Sequence, residues 1–269
     1  MRAVKELNVY LKSHSIQTVC NNSRCPNMGE CFEAGNVSFL ILGATCTRNC
    51  LFCAISCGRP ERPNPAEAES IAGAVYSLRL PYVVVTSVTR DDLADGGSAH
   101  YADVVKSIKK YSSTTIVETL IPDFDGITKN IDAIIAAGAN VVSHNMETVR
   151  RLYSAVRPSF DYSRSLKILR YLSSKEAVEV KSGFMVGLGE TTEERIELIR
   201  DIRNTGCGIL TIGQYLRPKG SPLDVKEYVK PDEFLFLKEE ASKLGFRSVA
   251  SGPFVRSSYR AFEYFEERK

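Results

Sequence analysis

A chain of 269 residues that is 43% hydrophobic and 25% charged holds enough apolar material for one large domain or two small ones, so its eight cysteines are not needed as staples. A net charge of +3 gives no basis for nucleic-acid or membrane-surface binding, and no apolar run approaches the ~20 residues that span a bilayer. The opening stretch MRAVKELNVYLKSHSIQ lacks the apolar core of a signal peptide, so a reducing cytoplasm is expected, where clustered cysteines serve as metal ligands or catalysts.

Residues 1–36 are polar and rich in Cys and Asn, with one helical stretch near 2–12. From residue 37 a strand–helix alternation sets in. Apolar, β-branched runs at 37–42, 82–88, 114–120, 140–144, 178–186 and 208–215 read as buried parallel strands. Helical patterns fill the intervals at 65–80, 98–111, 126–137, 162–173 and 192–205. Asn64-Pro65 supplies an N-cap followed by Pro, and Thr191-Thr192 leads into Glu193 and Glu194, both helix-start signals. After Pro231 a helix at 232–244 leads into 246–250. Six β/α repeats imply an open doubly wound sheet or a partial barrel, and in either the ligands sit at the carboxyl ends of the strands.

Seven of the eight cysteines lie between residues 20 and 57, and six of them form two triplets. Cys46, Cys50 and Cys53 make a C-x3-C-x2-C run directly after the first strand; Cys20, Cys25 and Cys31 are spaced C-x4-C-x5-C. Three thiolates can hold three irons of a [4Fe–4S] cubane and leave the fourth open to a substrate or another ligand. Zinc sites favour C-x2-C pairs, and a ferredoxin needs a fourth nearby cysteine, a place Cys57 can fill. A cluster at each triplet, an electron carrier and a zinc-binding interaction module are the readings the spacing leaves open.

The run at 46–53, with Phe52 just before its last cysteine, resembles the CxxxCxΦC loop of the radical S-adenosylmethionine (SAM) superfamily. With the triplet at 20–31 the chain resembles the lipoyl synthase family. The likeness continues through SVTRDDLADGGSAHY at 87–101, HNMETV at 144–149, VRP at 156–158, KSGFMVGLGET at 181–191, GQYLRP at 213–218 and GPFVRSSYRA at 252–261. It implies an α/β fold, a partial (β/α)6 TIM-type barrel over 37–230. An N-terminal extension over 1–36 and a C-terminal one over 231–269 would cover its mouth. It also implies two [4Fe–4S] clusters: a SAM-binding one on Cys46, Cys50 and Cys53, and an auxiliary one on Cys20, Cys25 and Cys31. The auxiliary cluster takes a serine oxygen as its fourth ligand, assigned to Ser257 of Arg256-Ser257-Ser258-Tyr259, with Ser258 as the alternative. The implied reaction inserts two sulfur atoms at C6 and C8 of a protein-bound octanoyl-lysine, with the auxiliary cluster as sulfur source. The implied partners are an octanoylated lipoyl carrier domain (an E2 domain or the glycine-cleavage H protein), a low-potential flavodoxin- or ferredoxin-type electron donor and an iron–sulfur cluster carrier. The chain departs from the family in its short N-terminus and its lack of Trp, Phe32 standing where a Trp often follows the third auxiliary cysteine.

SAM needs a surface for its adenine, polar groups for its ribose and partners for its methionyl end. Leu51 and Phe52 are candidates for the first. Asp91 or Asp92 can meet the ammonium, with Gly96 and Gly97 permitting close backbone approach. Glu118 lies inside a strand, where a lone carboxylate is costly, and Asn145, Glu147, Lys181 and Arg157 are further polar candidates. Gly187 and Gly189, in GLGE, suggest tight backbone packing near SAM rather than a phosphate loop. Gln214 and Arg217 follow the sixth strand, whereas Cys57 and Cys207 belong to no motif, Cys207 reading as a small buried residue.

Overall fold

The computed structural model describes residues 2–23 and 25–266, so Arg24 of the first cysteine motif lies outside the described residues. The chain divides into two compact units, Met1–Arg48 with Ile55–Val142, and Asn49–Ala54 with Ser143–Lys269. Seven strands are ordered along the main sheet as they occur in the chain, and the pairs with a stated register are parallel.

In the first unit, helix α1 (Arg2–Ser13) precedes two short helices, α2 (Val19–Asn22) and α3 (Met28–Glu33), which the sequence pattern does not show. They span only 4 and 6 residues, too few for a helical repeat to emerge. Strand β1 (Val37–Ile41) is buried at all five positions, as an unbroken apolar run requires. A small parallel pair follows, β2 (Thr45–Cys46) with β3 (Ser56–Cys57). Then come α4 (Glu67–Ser77), β4 (Tyr82–Ser87), α5 (Ser98–Tyr111), β5 (Ile116–Leu120) and α6 (Thr128–Ala136). Glu67 and Glu69 occupy the first turn of α4, where the helix dipole favours negative charge. Strand β6 (Val141–Ser143) spans the chain division.

The second unit runs through α7 (Tyr153–Val156), α8 (Tyr162–Ser173), β7 (Glu179–Val186), α9 (Thr192–Arg203) and β8 (Ile209–Gln214), then α10 (Pro231–Lys243), β9 (Ser248–Gly252) and α11 (Ala261–Glu266). Helix α9 opens on a capping box between Thr191 and Glu194, and Pro231 starts α10 at a position that needs no amide hydrogen. The strand β9 is an addition to the six read from the sequence. Its residues SVASG are small and partly polar, so they carry no strand pattern, yet they pair with β8 from Ile209↔Ser248 to Gly213↔Gly252.

Gly213 shows how the tail after β9 is seated. A β-carbon built there would lie 2.1 Å from the Val255 carbonyl oxygen, so only glycine admits the segment that leads to Ser257. Gly213→Ala is expected to lower unfolding stability by about 1–3 kcal/mol through overpacking, read as a lower urea midpoint. An unchanged midpoint would show that the tail yields without cost.

Candidate functional site

The first unit holds the opening of the 46–53 loop. The Cys46 sulfur accepts backbone N–H groups from Thr89 at 3.3 Å and Arg48 at 3.4 Å. Thr47 fastens the same turn: its N–H and hydroxyl donate to the Thr89 carbonyl, and its Oγ1 accepts the Asp91 N–H at 3.1 Å. Arg48, a residue that sequence alone would place in solvent, is buried. Its Nε and Nη2 donate to the two oxygens of Asp91 at 2.8 and 2.7 Å, and its Nη1 lies 2.8 Å from the fully buried Asp123 carboxylate. Burial by itself would lower the Arg48 pKa, but hydrogen bonding to Asp91 and the charge of Asp123 reverse that and raise it. The Arg48 hydrogen bonds hold Asp91 below the usual carboxylate range.

Residues 49–54 belong to the second unit and are fastened separately. The Leu51 N–H donates to the Val156 carbonyl at 3.0 Å, and the Ser221 hydroxyl donates to the Leu51 carbonyl at 2.6 Å. Phe52 packs against the buried cluster of Val156, Leu188 and Tyr215. It therefore anchors the loop in protein, a use that its proposed place at the adenine did not include. A turn from Cys53 N–H to the Cys50 carbonyl, at 3.1 Å, sets the last two cysteines of the run.

In the first triplet, Cys20 sits on α2, Cys25 on the following turn and Cys31 on α3. Thr18 caps α2 through its hydroxyl, and the Leu40 N–H donates to the Gln17 carbonyl, so β1 carries the start of this motif. Burial, with Cys25 adding like charge, raises the Cys20 pKa. A metal that binds there must displace the thiol proton. Among the described residues, no three His, Cys, Asp or Glu side chains converge as metal ligands. The fit to iron–sulfur clusters lies in the donor chemistry: thiols grouped in threes, and a first sulfur already receiving two N–H donors, hydrogen bonds of the kind that tune a cluster's sulfur ligands.

The remaining candidates are engaged within the protein. Asp92 receives both Nε and Nη2 of the buried Arg90 at 2.8 Å. Gly96 and Gly97 have φ of 63° and 89°, and added β-carbons would strike Phe124 and Leu42 at 2.9 and 2.4 Å. Their close approach is thus to side chains of the same unit. Glu118, in the middle of β5, accepts the Tyr82 hydroxyl at 2.6 Å; burial first, and Glu118 second, push that tyrosine well above its ordinary pKa. Lys181 is buried as the third residue of β7, toward that strand's amino end.

Beyond β6, the Asn145 amide donates to Glu147 at 3.0 Å, and its Oδ1 accepts the Ser257 hydroxyl at 3.3 Å. Glu147 has a φ of 66°, in the left-handed region, and burial raises its pKa despite Arg157 and Asn145. Arg157 donates to the Asn145 carbonyl and the Tyr153 hydroxyl at 3.0 and 2.8 Å, and Ser165 links that tyrosine to His144. The GLGE loop encloses its own anion: Glu190 accepts the Gly187 and Leu188 N–H groups at 2.6 and 2.8 Å, and the buried Arg195 donates to it at 3.0 Å. A β-carbon on Gly187 would meet the Glu227 carbonyl at 2.4 Å, and Gly189 has a φ of 102°. Gln214 donates to the Glu227 carbonyl, Arg217 pairs with Asp224, and burial pushes Cys207 up to about 12.

Residues 40–202 match the Radical SAM superfamily. The chain is 48% identical over 256 residues to the lipoyl synthase of Flavobacterium johnsoniae, covering 95% of this chain and 89% of that one. The chain belongs to the lipoyl synthase family. A second lipoyl synthase, from Caldanaerobacter subterraneus, is 48% identical over 259 residues, covering 96% and 91% of the two chains. The hydrogenase maturase HydG of Carboxydothermus hydrogenoformans has the same fold, with a TM-score of 0.63 over 87% of this chain and 66% of that one, at 11% identity. As a lipoyl synthase family member the chain is an enzyme of the sulfurtransferase class, and its superfamily brings a [4Fe–4S] cluster and SAM.

Sequence reasoning missed Arg48, Asp123, Glu190 and Arg195. No sequence signal marked them, since an arginine in a short loop reads as solvent-exposed. Arg48→Met is expected to strand the Asp123 carboxylate and cost about 3–5 kcal/mol, measured by urea unfolding of the cluster-free chain. Asp91 adds a pH signature. Its lowered pKa gives stability that is present above the ordinary Asp value of about 3.9 and is lost as pH falls through the lowered folded value. The acid limb of the stability profile should be shallower in Arg48→Met. An unchanged limb would show that Arg48 does not hold Asp91.

Proposed function

We propose that the chain inserts two sulfur atoms, at C6 and C8 of a protein-bound N6-octanoyl-lysine, to form lipoyl-lysine, and that an auxiliary cluster donates the sulfur. The observation that carries this reading is a second cysteine triplet, at Cys20, Cys25 and Cys31, in a chain 48% identical to lipoyl synthases over nearly its whole length. When bound, the cluster on the 46–53 triplet supplies the electron that cleaves SAM to methionine and a 5′-deoxyadenosyl radical, and the auxiliary cluster supplies sulfur.

The chain's own residues do the rest. Cys46, Cys50 and Cys53 would hold three irons and leave one position for SAM. Thr47 and Arg48 fasten the start of the loop that carries them, and Leu51 and Phe52 fasten its later part. Cys20, Cys25 and Cys31 would hold the auxiliary cluster, with Ser257 as fourth ligand and Ser258 as the alternative, a serine oxygen being a weaker ligand than thiolate. Asn145 and Glu147 offer a hydrogen-bonding pair for the SAM ribose.

The reading includes partners: an octanoylated E2 domain or glycine-cleavage H protein, a flavodoxin- or ferredoxin-type electron donor, and a carrier that restores the auxiliary cluster. It places the reaction in the cytoplasm. Among the described residues, no helix is long and apolar enough to cross a membrane.

The test is anaerobic. The chain is reconstituted with iron and sulfide, supplied with SAM, a reductant and an octanoyl-lysine peptide, and the peptide is weighed. Gain of two sulfurs with deoxyadenosine release is expected. Deoxyadenosine without sulfur in the peptide would overturn the substrate assignment, and Cys31→Ser should give that same pattern if the auxiliary cluster is the donor.

A further inference from the structure

Cys57 stands outside both triplets, yet its strand places it beside one of them. In the β2–β3 pair, Cys57 is the register partner of Cys46, and the Gly58 N–H closes the pair on the Cys46 carbonyl at 2.9 Å. Residues in register on parallel strands project to the same face, and neighbouring strands run about 4.8 Å apart. That spacing falls inside the ~4.4–6.8 Å between α-carbons that a disulfide spans. Cys57 is exposed and Cys46 half-buried, so both are within reach of a small oxidant.

We propose that Cys46 and Cys57 form a thiol–disulfide modification site, in which the cluster-free chain closes a reversible disulfide that removes Cys46 from the ligand set. The proposal rests on Cys46 being a cluster ligand. The oxidant is a small disulfide of the glutathione class. The Cys57 thiolate attacks it, forms a mixed disulfide and expels one thiol; the Cys46 thiolate then attacks the Cys57 sulfur and expels the second. Two protein thiols are oxidised, one small disulfide is reduced to two thiols, and the two protons pass to those thiols.

The Cys46 sulfur accepts the Thr89 and Arg48 N–H groups, which compete with Cys57 for it. Iron bound at Cys46 would occupy that sulfur, so the loaded chain would keep Cys57 as an exposed thiol. A cytoplasmic disulfide of this kind is transient and redox-sensing in character.

The experiment takes the cluster-free chain and its Cys57→Ser variant through glutathione disulfide without oxygen, then alkylation, digestion and fragment mass spectrometry. Iron and sulfide are then added without a thiol reductant, and bound iron is measured. The expected result is a Cys46–Cys57 cross-link and loss of one cluster's share of the bound iron in the unaltered chain, restored by dithiothreitol, with normal loading of Cys57→Ser after the same treatment. Cys57 found only as a mixed disulfide, or Cys46 linked instead to Cys50 or Cys53, would overturn the proposal. Cys46→Ser separates the two readings: iron loading in that variant equal to that of the unaltered chain would remove Cys46 as a ligand, while the cross-link found in the unaltered chain would stand.

Discussion

The buried guanidinium of Arg48 is the constraint on which the cysteine loop depends. An isolated charge in that position would be costly, and it is held because Asp91 takes two of its donors and Asp123 faces a third nitrogen. The backbone just before Arg48 is fixed as well. Cys46 receives two N–H donors, and Thr47 ties the turn to the segment after β4. Buried ion pairs return little net free energy, so the cluster of Arg48, Asp91 and Asp123 acts mainly by positioning the start of the loop.

The outline of the fold was legible in the sequence because its strands are buried on both faces and its helices are amphipathic or well capped. Thr191 and Glu194 announce α9, and the run VSFLI announces β1. The seventh strand was illegible because SVASG draws its place from pairing with β8 and not from its own side chains. The helices at the first triplet escaped for the opposite reason, being too short to show a period.

Of the candidate site, the two cysteine triplets stand out by their spacing, as ligand sets on short loops do. The polar residues around them could not be apportioned that way. Asp91, Asp92, Gly96, Gly97 and Glu118 looked like ligand contacts because carboxylates and glycines at strand ends commonly are. Asp91, Gly96, Gly97 and Glu118 are engaged by neighbours distant in sequence, Arg48, Phe124, Leu42 and Tyr82, and Asp92 by Arg90 two residues before it. The GLGE loop makes the same point, its N–H groups turned on Glu190 rather than on a phosphate.

In the proposed reaction a bound cluster is the source of the inserted sulfur, and isotope labelling tests this central claim most directly. The chain is loaded with clusters built from ³⁴S-sulfide, stripped of free sulfide, and allowed one turnover on an octanoyl-lysine peptide with SAM in which all other sulfur is of natural abundance. The account predicts a lipoyl peptide in which both added sulfurs are ³⁴S. A product carrying natural-abundance sulfur would contradict it and assign the donor to something other than the bound clusters.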